Sequence, residues 1–487
     1  MALPLPRLMT VALTLGLLGA PTAPRAAPMS VSDIFGQFNA VIFGTFTSTS
    51  DVEGRTVVGG TMTGGASFNI APGSSASSSY AGVTVYGNQT GSGSYNVNNG
   101  AGMSVLGTNA GTWNLNGGGS AWVGGSNSGN ITSSGSGASV TVGGGNTGQV
   151  NLNAGGSVYV GGSSTGQISV GGGTGNVTVT GATTNNITLN NGGSVYAGSN
   201  TSGGNINVNG GSGSVAVNAS NAAQITLNSG GTARIAGNTG NVNMNGGSLL
   251  YTGSVNGAVN LNGGATKTQV ANAGITTPSA PAASVTSSFG STFQAPLTTL
   301  SSELDALTAN SQATRAGNAL TFNAAPNSGG QAVFDIDSSV FAPNSTVTIQ
   351  LNGATSVIIN VNVDSCVAAV CALSMPSSLN FVNPTGYAER VLWNFVNATA
   401  IAFANEFGGS VLAPYATVSN QNPINGTLVA ANYNGNGELH SYAYRGSLST
   451  SGSNISPAAV PEPSSLLVLS AGLGGLAWMR RRLKRAA

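Results

Sequence analysis

Short runs of alternating apolar and polar residues dominate the middle of the chain and return at a fixed interval. The pieces GSAWVGG, GSVYVGG, GSVYAGS and GTARIAG are four such runs, and weaker copies such as GNVTVTG lie between them. Equivalent positions recur every 18 to 20 residues, at Trp122, Thr141, Tyr159, Thr178, Tyr196, Ala216 and Arg234. A second set of runs, such as WNLNGGG and ITLNNGG, precedes the first set and ends in Asn and Gly. Two short strands per turn, separated by Gly/Asn corners, predict a β-solenoid over residues 83–270.

The alternation also predicts where the core of this solenoid lies. Val150 and Leu152 point to one side of their strand, and the polar residue between them points to the other. Stacked turns bury the inner set as a continuous column, in which each apolar side chain contributes on the order of 1.5 to 3 kcal/mol. A flexible low-complexity linker is the alternative interpretation. The regular step and the aromatic residue at a fixed position argue against it.

A helical period follows the repeats, within APLTTLSSELDALTAN. Its leucines are spaced three, four and three residues apart, at Leu297, Leu300, Leu304 and Leu307. This spacing places one apolar stripe along an α-helix, which we expect to pack against a β surface. Further strand-like runs follow the helix. The predicted fold is therefore mainly β: a β-solenoid or β-helix with one long amphipathic α-helix packed alongside, and apolar targeting helices at the N- and C-termini.

The first residues are typical of an export signal. Arg7 precedes an apolar stretch over residues 8–20, and small residues in APTAPRAA follow it. This order predicts a signal peptide over residues 1–27 that is removed by signal peptidase. A buried helix is the alternative, but three prolines follow the apolar stretch closely. The protein is therefore expected to leave the cytoplasm.

Cys366 and Cys371 are the two cysteines of the chain. In an oxidising compartment, the simplest expectation is a local disulfide between them. A metal-binding pair is the less favoured alternative, because no second pair completes a zinc site and His440 is the single histidine. We expect neither a metal nor a cofactor.

Charge is scarce, and its distribution excludes several functions. The chain holds 13 Lys and Arg, 12 Asp and Glu, and 75 Gly among its 487 residues. Five of the basic residues lie at positions 480–485, so the body offers no basic surface, and no nucleic-acid partner is expected. No Asp or Glu occurs from Gly54 to Ser302. Cleaving a polysaccharide needs paired carboxylates or carboxylate-bound calcium, so this region is not expected to cut a polymer.

Two small groups of charged residues are candidates for chemistry, and neither predicts a catalytic site. Asp51 and Glu53, close to Arg55, offer two carboxylates, which are few ligands for calcium; an ion-paired corner is favoured over cation binding. Glu438 and His440 point the same way on one strand, but the sequence shows no nucleophile near them. We therefore expect no enzymatic activity.

Two segments resemble the choice-of-anchor A family of bacterial secreted proteins: FNAVIFGTFTSTSDVEGRTVVGGTM, and the stretch from VLWNF through GSVLAP to SYAYRG. The matching residues, all interpreted as structural, are Asp51, Glu53, Gly54, Arg55, Gly59, Gly60, Trp393, Asn394, Phe395 and His440. The resemblance implies a family domain in two parts, residues 28–82 and 271–446. The repeats at 83–270 are then an insertion between these parts.

The C-terminal residues resemble the PEP-CTERM sorting signal. A motif formed by Val460, Pro461, Glu462 and Pro463 precedes an apolar span and a basic cluster that includes Arg480, Arg481 and Arg482. The resemblance implies a Gram-negative host, an exosortase that processes residues 460–487, and an association with exopolysaccharide or biofilm. The composition of SLSTSGSNISPAAV separately predicts a flexible linker, over residues 447–459. The apolar span is slightly short for a bilayer, which favours transient inner-membrane contact. A permanent single-span anchor is the alternative.

Three functions remain to be weighed. The preferred one is a non-catalytic secreted or cell-surface structural or adhesion protein of the extracellular matrix or biofilm, which contacts exopolysaccharide or itself. The alternative is a ligand-binding module, glycan-binding or ice-binding, which predicts a long rank of outward Thr at coil spacing. Thr141 and Thr178 begin such a rank, and Ala216 breaks it. A polysaccharide-active enzyme is disfavoured by the missing acidic residues.

Overall fold

The structure, a computed structural model, describes residues 29–448 except Ser74 and Ser365. These residues belong to one compact unit. The predicted signal peptide, linker, sorting motif and terminal apolar helices lie outside the described residues. Within the described part of the chain, no helix has the length and apolar character needed to cross a membrane.

Each turn of the solenoid has three sides. In one turn, Thr141 lies on the first side, Asn146 on the second and Asn151 on the third. The first and third sides are the two sets of strands that the sequence predicts. The second side is held by the single bridge residue Asn146, which pairs in parallel with Asn127 and Ser164 of the adjacent turns. Because glycines flank this residue, the sequence pattern indicated only a corner there, and the prediction of two strands per turn missed a side.

The predicted repeat positions stack on one another in parallel register. The pairs follow the expected series without a slip: Trp122, Thr141, Tyr159, Thr178, Tyr196, Ala216, Arg234. Each residue lies one turn from its partner. The predicted β-solenoid is therefore confirmed for this region.

The order of the turns in space differs from their order in the sequence. Strand Ala40–Ile42 lies between Thr56–Val58 on one side and Leu428–Gly435 on the other, and both pairings are parallel. We call this meeting of N-terminal and C-terminal strands the central joint. From it, later residues stack in one direction as far as Thr266–Gln269. In the other direction the turns run backwards through the C-terminal part, as far as Gln331–Asp337. One parallel ladder thus ends within the repeats in the first direction and extends well beyond them in the second.

The strands before and within the repeats are short. They are Ala40–Ile42, Phe46–Ser48, Thr56–Val58, Met62–Gly64, Ser67–Phe68, Val83–Val85, Ser94–Val97, Met103–Val105, Thr112–Leu115, Ala121–Val123, Ile131–Val142, Val150–Val160, Ile168–Val170, Gly175–Thr183, Ile187–Leu189, Gly193–Asn200, Ile206–Val208, Gly213–Val217, Ile225–Leu227, Gly231–Ile235, Val242–Asn245, Ser248–Tyr251, Val259–Asn262 and Thr266–Gln269. Those after the repeats are Gln312–Ala316, Ala319–Asn323, Gln331–Asp337, Thr346–Gln350, Ser356–Asn362, Cys366–Val367, Val370–Ser374, Asn380–Phe381, Val391–Phe395, Ala400–Phe403, Phe407–Gly408, Ser410–Asn420, Ile424–Asn425, Leu428–Gly435 and Leu439–His440.

Within residues 29–448, two α-helices accompany the strands. Helix α1 spans Val31–Gln37, and Ser30 caps it by accepting a hydrogen bond from the backbone N of Asp33 at 3.1 Å. Helix α2 spans Ala295–Asp305 and follows a π-helical turn at Gly290–Gln294. Single 3₁₀ turns occur at Ser338–Val340 and Ala388–Arg390.

The predicted long amphipathic helix is wrong in its length. Helix α2 buries Leu297, Leu300 and Leu304 as the spacing predicts, but it has only 11 residues, and Leu307 lies beyond its end. The chain leaves the helix because the backbone N atoms of Asn310 and Ser311 bond to the carbonyl of Val333 in the sheet. These backbone N–H groups therefore donate to the edge of the sheet instead of to carbonyls within a longer helix.

The molecule has two apolar cores. The first is the column of inward side chains, which runs through the whole ladder and includes Val150, Leu152, Val158 and Val160. The second lies outside the coil, where the two helices cover outward-pointing apolar residues of the sheet. Strand Ser356–Asn362 takes part in both cores, so its side chains are buried on both faces except for Asn362, which is partly exposed. This explains the nearly continuous apolar run VIINV, which does not alternate as most strands of the repeats do.

Candidate functional site

The first side of the coil is covered along much of its length, and we call it the covered face. Its outward residues in the central turns are apolar and lie beneath helix α2: Val333, Ile358, Leu392, Leu412, Val429, Val41 and Val57. In the following turns they become small, polar or aromatic: Thr84, Ser104, Trp122, Thr141, Tyr159, Thr178 and Tyr196. The change marks the point where the helix no longer covers the sheet.

An extended segment replaces the helix over those later turns. Ala273 accepts a hydrogen bond from Arg234 Nη1 at 2.9 Å, and Thr277 Oγ1 lies 2.9 Å from the Tyr196 hydroxyl. Further along, Ser284 Oγ lies 2.7 Å from Ser104 Oγ. The segment therefore runs back along the covered face toward helix α2. We call residues 273–287 the strap.

The second side carries outward hydroxyl groups, and we call it the hydroxyl face. Its bridge residues point inward, so the residues after them point outward: Thr90, Ala110, Ser128, Thr147, Thr165, Thr184, Thr201, Ala222 and Gly240. Thr147, Thr165 and Thr184 are exposed to solvent. This is a rank of Thr at coil spacing, although not the rank that begins at Thr141. The sequence signal that could have revealed it is the Ser or Thr that follows the buried polar residue in several turns, as in GGNTGQ.

A ladder of inward polar side chains supports the hydroxyl face from below. Asn109 Nδ2 donates to Asn127 Oδ1 at 2.6 Å, and Asn127 Nδ2 donates to Asn146 Oδ1 at 2.8 Å. Each amide also reaches a backbone carbonyl two residues ahead, as Asn146 does with Gly148 at 2.8 Å. All three side chains are fully buried, so these bonds replace those lost to water. The ladder joins the turns that carry Ala110, Ser128 and Thr147 on the hydroxyl face.

The third side carries outward amides and hydroxyls, and we call it the amide face. Its middle rank consists of Asn96, Asn114, Thr132, Asn151, Ser169, Thr188, Asn207, Thr226, Asn243 and Asn260. Neighbouring turns are joined by amide hydrogen bonds, such as Asn114 Nδ2 to Asn96 Oδ1 at 3.1 Å and Asn260 Nδ2 to Asn243 Oδ1 at 2.7 Å. Both the amide face and the hydroxyl face are uncharged over these turns.

The charged residues of the N-terminal family motif have structural contacts. Glu53 Oε2 accepts a hydrogen bond from the backbone N of Ser441 at 2.8 Å. The backbone carbonyl of Asp51 accepts a hydrogen bond from the backbone N of Leu439 at 3.0 Å. Arg55 Nη1 donates to the carbonyl of Ala76, and burial lowers the pKa of this guanidinium. Glu53 and Asp51 therefore contact the end of the chain at Ser441 and Leu439, and Arg55 contacts the loop at Ala76.

The glycines of the same motif lie where successive turns approach closely. A Cβ atom on Gly59 would stand 2.4 Å from the carbonyl oxygen of Phe43, and one on Gly60 would stand 2.6 Å from that of Gly44. Gly54 donates its backbone N–H to Asn39 Oδ1 at 3.0 Å. The motif therefore needs glycine because there is no room for a side chain at the corner.

The C-terminal motif fastens helix α2 to the sheet. Asn394 Nδ2 donates to the carbonyl of Ser301 and to Asn360 Oδ1, both at 2.9 Å. Trp393 Nε1 donates to the carbonyl of Gly408 at 2.9 Å, and Phe395 is fully buried in the inner core. These residues act in folding, and their side chains are not available to a ligand.

His440 belongs to a surface hydrogen-bond chain. Its Nδ1 lies 2.7 Å from Asn425 Oδ1, and its Nε2 lies 2.9 Å from Glu438 Oε2. Asn425 Nδ2 in turn donates to Glu406 Oε1 at 2.8 Å. Among residues 29–448, no group of three or more His, Cys, Asp or Glu side chains is placed to hold a metal ion.

Cys366 and Cys371 are joined by a disulfide that closes a two-residue hairpin turn. Val367 and Val370 at its tip are 76% and 55% exposed, which makes the tip the most apolar exposed turn among the described residues. The turn residues Ala368 and Ala369 both have positive φ, at 49° and 65°. Alanine is unfavourable in this left-handed conformation, which Asn and Gly adopt readily.

A comparison with protein-family models decides the classification. The model described as "Putative Ice-binding-like adhesive domain" matches residues 31–130 and 182–441. The chain belongs to this family. The gap between the two matched segments falls inside the repeats, so the ice-binding-like adhesive domain includes the central joint, helix α2 and the turns at both ends. The family comparison does not show the choice-of-anchor A family that the two sequence segments resemble.

A second family model matches the C-terminal residues. The PEP-CTERM protein-sorting motif covers residues 459–482, which confirms the predicted sorting signal. The motif implies processing by an exosortase during export. Together with the adhesive domain, it indicates an exported, cell-surface protein of a Gram-negative bacterium.

Two solved structures resemble the chain weakly. An ice-binding protein from an Antarctic Flavobacteriaceae bacterium is 16% identical, covers 85% of this chain and 97% of its own, and has a TM-score of 0.20. The Tapirin C-terminal domain of Caldicellulosiruptor kristjanssonii is 13% identical, covers 86% and 96%, and has the same TM-score. A TM-score of this size carries no argument about fold or ligand. No curated protein matches the chain.

Proposed function

We propose that this member of the ice-binding-like adhesive domain family is a non-catalytic structural or adhesion protein of the extracellular matrix or biofilm. Its rod contacts matrix polysaccharide or another copy of the rod through uncharged faces. The family domain is of the choice-of-anchor A type, and the repeats at 83–270 lengthen it. An exosortase sorts the chain after transient anchoring in the inner membrane.

The observation that carries this proposal is the pair of uncovered, uncharged faces. The hydroxyl face and the amide face present Ser, Thr and Asn side chains turn after turn, at the spacing of a parallel β ladder. Thr147 and Thr165 illustrate the first, and Asn151 and Ser169 the second. A long array of this kind suits contact with an extended neutral surface. A catalytic site instead needs a few groups that converge on one bond.

The sorting part of the proposal is tested by the intact mass of the protein recovered from its native host. We expect a cell-surface or secreted species that lacks residues 1–27 and everything beyond the Val460 to Pro463 region. A species that retains Arg480, Arg481 and Arg482 in the inner membrane would replace transient by permanent anchoring. Deletion of the gene should also reduce the attachment of cells to their matrix.

Ice binding is the second candidate, and the rank of outward threonines on the hydroxyl face favours it. Thr147, Thr165, Thr184 and Thr201 follow one another on successive turns. Their spacing is that of the parallel turns, in which the bridge residues Asn146, Ser164, Thr183 and Asn200 pair one turn apart. A flat array of hydroxyl and methyl groups is the type of surface that can order water over many repeats.

This candidate is tested by ice recrystallisation in the presence of the purified protein. If the hydroxyl face binds ice, Thr165→Tyr should abolish the inhibition of recrystallisation, because the ring interrupts the flat rank. Ser169→Tyr, on the amide face, is the matched control and should retain it. Equal activity of both variants, or no inhibition by the unmodified protein, would remove ice binding from consideration.

A further inference from the structure

The strap leaves part of the covered face open. Hydrogen bonds tie it down at Thr277 and Ser284, but among the described residues none joins residues 278–283 to the turns beneath. Pro278 and Pro281 lie in this stretch and carry no N–H to donate. The strap therefore runs along the sheet, is hydrogen-bonded to it at Thr277 and Ser284, and forms one wall of a groove between these points.

A groove lies between this wall and the sheet. One part has a volume of about 340 Å³ and is lined by Trp122, Thr141 and Ser104 from the sheet and by Pro281 from the strap, with other residues. The adjoining part has a volume of about 350 Å³ and includes Tyr159. Thr141 and Pro281 line both parts, so the two are continuous along the rod. No Asp, Glu, Lys, Arg or His lines either part.

Two aromatic side chains stand in the groove at a regular distance. Trp122 pairs with Thr141, which pairs with Tyr159, so the rings lie two turns apart. With a ladder spacing of about 4.8 Å, this separation is roughly 10 Å. Both side chains are only partly buried. Neither the indole N–H of Trp122 nor the hydroxyl of Tyr159 has a hydrogen-bond partner among the described residues.

Trp122 and Tyr159 differ from the buried aromatic residues of the fold, whose polar groups are hydrogen-bonded. Trp113 and Trp393 are fully buried, and their indole N–H groups donate to Asn109 Oδ1 at 2.7 Å and to the Gly408 carbonyl at 2.9 Å. Tyr196 is also covered, with its hydroxyl on the strap. Trp122 and Tyr159 combine an accessible ring with an unused donor, which is the combination that aromatic ligand contacts employ.

We propose that this groove binds a segment of an extended, neutral, β-linked polysaccharide. Trp122 and Tyr159 stack on alternate sugar rings, since an extended β-1,4-linked chain has a disaccharide repeat of similar length to the ring separation. Thr141 lies between them and offers its hydroxyl to the intervening sugar. The absence of charged lining residues favours a neutral polymer over a uronic-acid or sulfated one.

This site names the partner class of the proposed adhesive function and rests on that function. It differs from the two uncovered faces because it is a walled groove with two ring platforms. Binding at such a groove needs no bond cleavage. A chain that lies along it would therefore be held in parallel with the rod.

Titration with a soluble oligosaccharide tests the site. Cellohexaose is the probe, and binding to the full chain is followed by calorimetry and by tryptophan fluorescence, with Trp122→Phe assigning the signal. Trp122→Ala and Tyr159→Ala should each raise Kd roughly tenfold or more. Trp122→Phe and Tyr159→Phe keep a ring and should retain most of the affinity. Tyr415→Ala removes a 51% exposed aromatic elsewhere and should leave Kd unchanged.

The outcomes separate the groove from the wider function. Maltohexaose, whose α-linkages curve the chain, should bind much more weakly than cellohexaose; equal binding would overturn the proposal. Unchanged affinity of folded Trp122→Ala and Tyr159→Ala, checked by circular dichroism, would also overturn it. If the protein sediments with matrix polysaccharide but does not bind cellohexaose, the groove proposal fails and the adhesive function stands. If it binds neither, both fail.

Discussion

Val41 and Val429 are partners in parallel strands, although one lies near the start of the described chain and the other near its end. Their side chains meet in the outer core beneath helix α2. The N-terminal part therefore does not form a separate domain from the C-terminal part. The rod is completed only when the last turns fold against the first, so its central joint depends on contacts between distant segments.

Asn39 is the polar residue that should matter most at this joint. Its Nδ2 donates to the carbonyls of Gly426 and His440 at 2.9 and 3.0 Å, and its Oδ1 accepts from Gly54 N at 3.0 Å. Asn39→Ala would remove the side-chain partner of two buried backbone groups, the Gly426 carbonyl and the Gly54 N–H, so we expect the free energy of unfolding to fall by about 2 to 4 kcal/mol. Urea denaturation measures it. Asn153→Ala, at an exposed position, should change it by less than about 0.5 kcal/mol.

Gly148 tests how closely the turns are stacked. A Cβ atom there would stand 1.9 Å from the carbonyl oxygen of Gly129 in the adjacent turn. Gly148→Ala must push the two turns apart and should lower the free energy of unfolding by about 1 to 3 kcal/mol. Gly36→Ala is the control, because it lies in helix α1 with no heavy atom within 4 Å of the new Cβ. It should raise the stability slightly, and equal effects of the two changes would contradict the stacking argument.

The disulfide-closed hairpin should be stabilised by a better turn. Ala368 and Ala369 both occupy the left-handed region, which costs an alanine roughly 1 to 2 kcal/mol. We expect Ala368→Asn combined with Ala369→Gly to raise the free energy of unfolding by about 1 kcal/mol or more. Ala372→Gly, in the following strand, makes one of the same changes where φ is negative, and it should be destabilising. A stabilising Ala372→Gly would contradict this account.

Alkaline pH should destabilise the rod through its buried tyrosines. Burial raises the pKa of Tyr444, whose hydroxyl lies 2.7 Å from Ser356 Oγ. The unfolded chain loses this proton near a pH of about 10, whereas the folded chain keeps it to higher pH. The folded state then holds more protons, so stability is present below about pH 10 and is lost as the pH rises further.

Thermal unfolding between about pH 8 and 11.5 measures this effect. Tyr444→Phe should lower stability modestly at pH 8, through the lost hydrogen bond, and should flatten the fall at high pH. Tyr415→Phe changes a ring that is 51% exposed and should reproduce the unmodified curve. A Tyr444→Phe curve that falls as steeply as the unmodified one would show that other groups control the alkaline transition.

The coil could be predicted because it is repeated in the sequence. The positions from Trp122 to Arg234 recur at a near-constant step and pair in the expected order. The second side was missed because one inward residue per turn, such as Asn146, carries no alternation. The Thr rank beside it was missed for the same reason. The sequence pattern does not distinguish a single β-bridge residue flanked by glycines from a turn between two strands.

The central joint and the strap could not be read from the sequence. Val41 and Val429 lie in unrelated sequence contexts, and nothing local indicates that their strands are neighbours. The stretch TPSAPAAS indicates an extended segment but not the direction in which it runs or what it covers. Trp122 and Tyr159 were noticed as regular positions. Their exposure in a groove depends on where the strap is tied to Thr277 and Ser284.

Co-sedimentation of the secreted protein with polysaccharide from the matrix of its own host tests the central claim most directly. Because the hydroxyl face, the amide face and the groove are uncharged, the bound fraction should be the same at low salt and at about 1 M NaCl. The polymer should keep its chain length during incubation. Release of the protein by salt, absence of binding, or shortening of the polymer would contradict the account of an uncharged, non-catalytic adhesive rod.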